Sequence, residues 1–213
     1  MTVPVSAQPT EQSDLTPASA REVWVPAPSA WWVLIAGAIG LLASMTLTVE
    51  KIKILLSPSY VPSCNVNPIV SCGSVMTTSQ ASVLGFPNPL LGIVGFTVVV
   101  ITGVLAATKV PLPRWYWAGL DLGILVGAVF VHWLIFQTLY RIGALCPYCM
   151  VVWVVTLTLL VVVTSIAFRA SIEGSTAVVR VLFQWRWSIA VLWFTGVFLL
   201  IMVRFWNYWS TLV

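Results

Sequence analysis

All four cysteines of the chain fall in two close pairs, Cys64 with Cys72 and Cys146 with Cys149, and none is left over. The second pair reads Cys146-Pro147-Tyr148-Cys149 and stands at the mouth of a long apolar run. Proline is well placed in the first turn of a helix, where its missing N–H costs nothing. The motif therefore predicts a helix opening at Pro147, with Cys146 near the N-cap and both sulfurs within one turn. A helix N-terminus favours negative charge and lowers a thiol's pKa. Thiolate is the species that attacks disulfides and electrophiles, so this pair suits a dithiol that opens and closes. Two other readings compete. A static staple across one turn closes too small a loop to stabilise much. A four-cysteine zinc site normally uses two short-spaced pairs, and the seven residues between Cys64 and Cys72 are atypical of that. Alone, Cys64–Cys72 fits a structural clip; with a second pair on the same side, thiol–disulfide exchange between pairs becomes the better reading.

The elements that must carry these sulfurs are hydrocarbon-soluble. The chain of 213 residues is 60% hydrophobic and 8% charged, against about 25% charged residues in soluble domains. Its mean hydropathy is +1.00. The net charge of +4 comes from basic residues lying mostly between apolar runs, which argues against a nucleic-acid binder with its single basic patch. A helix needs about 20 apolar residues to cross a bilayer. Five stretches qualify: 31–49, 89–108, 115–140, 146–168 and 188–205. Open strands would leave backbone groups unpaired in lipid, so the expected class is an all-α transmembrane bundle. Residues 1–30, with five prolines and many polar side chains, read as a disordered cytoplasmic tail, the first span doubling as the targeting signal. Trp31, Trp32, Trp115, Trp117, Trp185, Trp187, Trp206 and Trp209 fall at expected span ends, as an aromatic belt requires.

Parity then does the positioning. The 51–88 loop follows span one and the 141–145 loop follows span three, so both pairs must face one compartment. Arg21, Lys109, Arg114, Arg169, Arg180 and Arg186 fall on one side, and Lys51, Lys53, Arg141 and Arg204 on the other. By the positive-inside rule this puts the cysteines outside, where disulfides persist. The long loop holds Ile69, Val70, Val75, Met76, Val83, Leu84 and Phe86. That is too apolar for a linker and predicts a lid folded over the outer end of the bundle.

A Cys-x7-Cys pair in the first loop, Cys-x-x-Cys opening the fourth helix, and the stretches Asn65–Val75 and Leu84–Gly92 together resemble the vitamin K epoxide reductase family, over roughly residues 31–168. The fifth span is similar to actinobacterial members. The resemblance implies a four-helix core and a quinone-dependent thiol oxidoreductase of the bacterial cell membrane. It implies that Cys64 and Cys72 exchange with a thioredoxin-fold partner, that Cys146 and Cys149 receive the electrons through a transient Cys72–Cys146 link, and that Cys149 faces the quinone, such as menaquinone. Many relatives carry a fused thioredoxin-like domain; eight residues follow Phe205 here, so a separate DsbA-like protein is expected, supporting disulfide formation in exported proteins.

The resemblance also marks a quinone pocket. Asn88 matches the family's asparagine before the second span, where its amide would donate to a quinone carbonyl; it is equally a turn residue between two prolines. Trp153, four residues after Cys149 and on its helix face, stands where the family often has tyrosine, and offers only an N–H. His132, the one histidine, lies about 12 Å below the end of span three at 1.5 Å per residue. It is either a proton relay or an interhelical hydrogen bonder. Asp121 is explained by pairing or snorkelling near Arg114, and the spacings Gly119–Gly123–Gly127 and Gly92–Gly95 by close helix approach. The alternative from another class is a thiol-ligated metal-binding or metal-transporting membrane protein. A quinone oxidoreductase of the DsbB kind predicts the same chemistry, but a different cysteine order.

Overall fold

The computed structural model describes residues 22–57, 59–173 and 176–210. Its elements in chain order are β1 (Glu22–Val23), α1 (Ala27–Leu56), α2 (Cys72–Met76), α3 (Pro89–Ala107), β2 (Leu112–Pro113), α4 (Arg114–Gln137), α5 (Pro147–Glu173), α6 (Ala177–Gln184), α7 (Arg186–Arg204) and α8 (Trp206–Trp209). A 3-10 turn at Ser79–Ser82 follows α2, and a π-helical turn at Thr138–Ile142 extends α4. Five of these helices, α1, α3, α4 with its π turn, α5 and α7, are long and apolar enough to cross a membrane. The chain is an all-α, multi-pass membrane protein.

Proline sets several starts. Pro28 sits in the first turn of α1, and Pro89 and Pro147 open α3 and α5, where no backbone donor is lost. At the end of the π turn, Gly143 takes φ +71°, a conformation that costs residues with a Cβ. The limits differ from expectation mainly in α1. It begins at Ala27 rather than Trp31 and continues past Val49 through Glu50, Lys51 and Lys53 to Leu56, so the lid is correspondingly shorter. Charge at the end of an apolar run marks the interface, and here the helix runs on beyond it.

Of the expected disordered tail, residues 1–21 lie outside the described residues; the part that is described is ordered. Glu22 and Val23 pair antiparallel with Pro113 and Leu112, and Val23, Val25 and Leu112 pack on the bundle core. That apolar packing holds a segment whose composition reads as polar. The pairing puts the N-terminal segment at the same end as the α3–α4 connection, opposite the cysteines.

Between α1 and α3 runs a close seam. A Cβ on Gly37 would meet Val99 Cγ1 at 2.9 Å, one on Gly40 would run into the Phe96 ring, and one on Gly103 would meet the Leu34 Cα at 2.6 Å; Gly92 lies against Ser44. Lipid supplies no hydrophobic drive between helices, so such backbone approach is what stabilises the pair. The expected packing role of Gly95, Gly119 and Gly123 is corrected: a Cβ on any of them would meet nothing within 4 Å. All three are exposed and line the cavity described below, where their missing side chains leave a slot. Trp117 also departs from expectation. It is fully buried in the core rather than in a belt, whereas Trp31, Trp32, Trp115, Trp185, Trp187 and Trp206 are exposed; the Trp209 side chain lies outside the described set. Asp121 of α4 is buried and accepts a hydrogen bond from Thr164 Oγ1 of α5 at 2.7 Å.

Candidate active site

The lid is built from short polar hydrogen bonds. Asn67 Oδ1 accepts from the Ile69 and Val70 N–H groups at 3.0 and 2.7 Å, an Asx turn that substitutes for backbone pairing. Asn65 Oδ1 accepts from Gly73 N at 2.9 Å and Ser71 Oγ at 3.2 Å. Ser71 caps α2 by accepting from Ser74 N, the common cap role of serine. Cys72 is thereby fixed as the first residue of α2. Cys64 and Cys72 form a disulfide, and both are buried.

A single parallel β-bridge, Val70 with Leu145, joins this lid to the segment before α5. Its bonds are Ser71 N–H to Leu145 O at 2.9 Å and Leu145 N–H to Ile69 O at 2.7 Å. The residues that follow the two bridge partners include Cys72 and Cys146. Their sulfurs stand 3.3 Å apart, packed with Leu47, Cys64 and Met76 out of water's reach. Cys146 and Cys149 are free thiols. Cys146 immediately precedes the membrane-crossing helix. The Cys149 side chain, as hydrogen-bond donor, lowers the Cys146 pKa from the ordinary thiol value against the opposing effect of burial, aided by the backbone groups of Cys149 and Tyr148. The arrangement presents a nucleophilic sulfur to one atom of an existing disulfide, which is the geometry of thiol–disulfide exchange.

Beyond Cys149 opens a cavity of about 590 Å³ lined by α1, α3, α4, α5 and the lid. Its lining includes Cys149, Asn88, Trp153, Tyr116 and Lys51, and its walls are predominantly apolar. Asn88 sits on this wall, but much of its side chain is committed to the lid. Its Nδ2 donates to Gln80 O at 2.7 Å, and its Oδ1 accepts from Val83 N at 3.0 Å. One N–H of the amide remains for a ligand. Trp153 is buried on the cavity wall, in a cluster with Ile69, Leu145, Ile201 and Phe205. His132 is the expected pocket residue that the structure sets elsewhere. It is not among the residues lining the cavity; its Nδ1 lies 2.7 Å from Ala128 O, and its ring packs edge-on against Trp193 of α7 at 5.0 Å. Its hydrogen bond is thus made within α4, and its contact with the fifth helix is the ring packing on Trp193.

The sequence reading missed the polar anchors of α1. Glu50 is buried and accepts from Tyr60 Oη at 2.9 Å and from Ser63 Oγ at 3.4 Å, with Lys53 at 3.8 Å. Lys51 Nζ donates to Met76 O at 2.5 Å. Both residues tether the lid. The one available signal was their position directly after the apolar run. A second missed element is Arg204 of α7, whose Nε donates to Leu139 O at 3.0 Å and so fastens the fifth helix to the π turn leading to Cys146.

A model of the vitamin K epoxide reductase family matches residues 31–164, more than half of the chain. It spans both cysteine pairs and the cavity wall and stops before α7. No curated protein matches the chain.

Proposed function

We propose that this chain, which belongs to the vitamin K epoxide reductase family, carries electrons from a thioredoxin-fold partner through Cys64–Cys72 and then Cys146–Cys149 to a membrane quinone. As a member of that family it is a quinone-linked thiol oxidoreductase that works with thioredoxin-like proteins; the order of transfer and the identity of the partner are our reading. The observation that carries it is the 3.3 Å separation of Cys146 Sγ from Cys72 Sγ, with Cys149 one turn further on at the cavity wall.

Each step balances. A reduced partner opens the Cys64–Cys72 disulfide and leaves oxidised. The Cys72 thiolate attacks Cys146 of an oxidised inner pair, releasing Cys149 as thiolate; Cys64 then attacks Cys72, restoring the outer disulfide and freeing Cys146. Two electrons and two protons leave Cys146 and Cys149 as their disulfide reforms, and both pass to the quinone. The state described here, outer pair bridged and inner pair free, corresponds to the moment before that last step.

The cavity residues suit such an acceptor. The volume lies within the roughly 300–1,000 Å³ of ligand sites, the walls are apolar, Trp153 offers a ring face, and Asn88 has a spare donor. The slot at Gly95, Gly119 and Gly123, all exposed on the flank of the bundle, gives a lipid-soluble molecule a lateral entrance. We place the cysteine end on the extracytoplasmic side of a bacterial cell membrane, from the distribution of basic residues and the use of a disulfide, with menaquinone as the expected quinone. A thiol-ligated metal site is not favoured, because Cys64 and Cys72 are joined to each other.

The test is a series in membranes with Cys64, Cys72, Cys146 and Cys149 each changed to Ser. Every variant is expected to lose quinone-dependent oxidation of a thioredoxin-fold partner. Turnover retained in all four overturns the relay.

A further inference from the structure

Lys51 lies near the C-terminal end of α1 and is buried, 9% exposed. It is the one charged side chain among the described residues that line the cavity, a wall it shares with Cys149, Asn88 and Ser44. Burying an ammonium is costly unless it is paired, yet among the described residues the ion pair of this region is Lys53 with Glu50. Glu50, the adjacent carboxylate, is held by Tyr60, Ser63 and Lys53. The Lys51 ammonium instead donates to the Met76 carbonyl, at the end of α2. An ammonium has three N–H donors, so the Met76 bond leaves two for whatever fills the cavity.

Chemistry at the Cys149 wall needs such a group. As the Cys146–Cys149 disulfide forms, electron density arrives at a quinone oxygen before its proton does, inside apolar walls where unbalanced charge is expensive. A fixed donor aimed at developing charge is usually the largest single aid to such a step.

We propose that Lys51 is a further catalytic residue: its ammonium hydrogen-bonds one quinone oxygen at the cysteine end of the cavity and lends it a proton. A proton released by the inner thiols returns to Lys51, so two protons leave Cys146 and Cys149, two reach the hydroquinone, and Lys51 is unchanged over the cycle. This rests on the quinone reading given above. The Met76 bond gives the residue a second contact, since the same ammonium touches the helix that begins with Cys72.

The full chain in lipid nanodiscs, with menadione as the probe, separates the two contacts. The inner pair is reduced and its oxidation by menadione is followed by stopped flow. Menadione affinity is measured by tryptophan quenching, and exchange at Cys64–Cys72 by its reaction with dithiothreitol. Lys51→Gln keeps a donor for Met76 but removes the charge. It is expected to slow oxidation of the inner pair by about a hundredfold and to weaken menadione binding, with dithiothreitol exchange unchanged. Lys51→Arg is expected to recover most of the rate and affinity. If Lys51→Gln slows exchange as much as oxidation, the residue is only a latch, and the proposal is overturned. It is overturned too if oxidation and binding are unaltered in Lys51→Gln while the wild type reacts. A wild type that exchanges thiols but is oxidised by no quinone instead removes the quinone reading, and the role of Lys51 with it.

Discussion

The two cysteine pairs meet at one end of the bundle and are held by opposite means. Cys64 and Cys72 stand on a lid whose shape comes from side-chain oxygens, those of Asn65, Asn67 and Ser71, bonded to nearby donors. Cys146 and Cys149 stand where a helix begins, on a wall of packed hydrocarbon reinforced from behind by Ile201, Phe205 and Arg204 of the fifth-helix region. A polar scaffold can be exposed to water without loss, so it suits the pair that we propose exchanges with a thioredoxin-fold partner. Packing in hydrocarbon holds a sulfur firmly beside an apolar cavity, so it suits the pair that we propose passes electrons to the quinone. One sulfur contact, 3.3 Å long, joins the two regimes.

Removing the resolving thiol from both pairs tests that junction most severely. In Cys64→Ser combined with Cys149→Ser, only Cys72 and Cys146 remain, and mild oxidation is expected to link them nearly completely in the monomer. Peptide mapping under non-reducing conditions reads the result; no link, or links only between molecules, would break the comparison at its centre. A smaller effect is expected on the hydrocarbon side. Arg204→Met strips a side-chain donor from the buried Leu139 carbonyl, at a cost of about 1–3 kcal/mol. The thermal midpoint should fall and oxidation of the inner pair should slow, with reduction of Cys64–Cys72 by dithiothreitol unchanged. On the polar side, Asn65→Ala removes an exposed acceptor, costing about 1 kcal/mol. Amide exchange at Gly73 should accelerate and partner exchange should slow, while oxidation of the inner pair by quinone stays as it was. If either variant disturbs both pairs equally, the two scaffolds are one. The least effect on stability is expected from Gly123→Ala, since a Cβ there meets nothing within 4 Å. The helix should gain up to about 1 kcal/mol, detected as an unchanged or slightly higher thermal midpoint, while the narrowed slot slows quinone-driven oxidation alone.

The sequence made the class and the meeting of the pairs legible, because crossings alternate sides and cysteine spacing survives any detail of packing. Pro147 marked the start of α5 for a reason local to the backbone. What stayed hidden depends on the angle between helices. His132 could be placed in depth, but which neighbour its ring would face depended on α7, which lies beyond the family match. Gly92 and Gly95 differ by three positions, yet one abuts Ser44 and the other faces open space; spacing alone says that backbones can approach, not that they do. Glu50 and Lys51 read as the end of a span because charge leaves lipid. That their side chains turn back to hold the lid is a tertiary fact, decided by Tyr60, Ser63 and Met76, 10 to 25 residues further along the chain.

The lone bridge between Val70 and Leu145 has a consequence for how this region can change in length. One step along a strand is about 3.3 Å and turns the side chain to the opposite face. Inserting or deleting a single residue between Val70 and Cys72, or between Leu145 and Cys146, would carry a sulfur away from its counterpart and aim it elsewhere, stopping conduction with every cysteine still present. The same change near Val83 would shift no sulfur. The residues flanking this bridge are thus the windows in which a change of length separates Cys72 from Cys146.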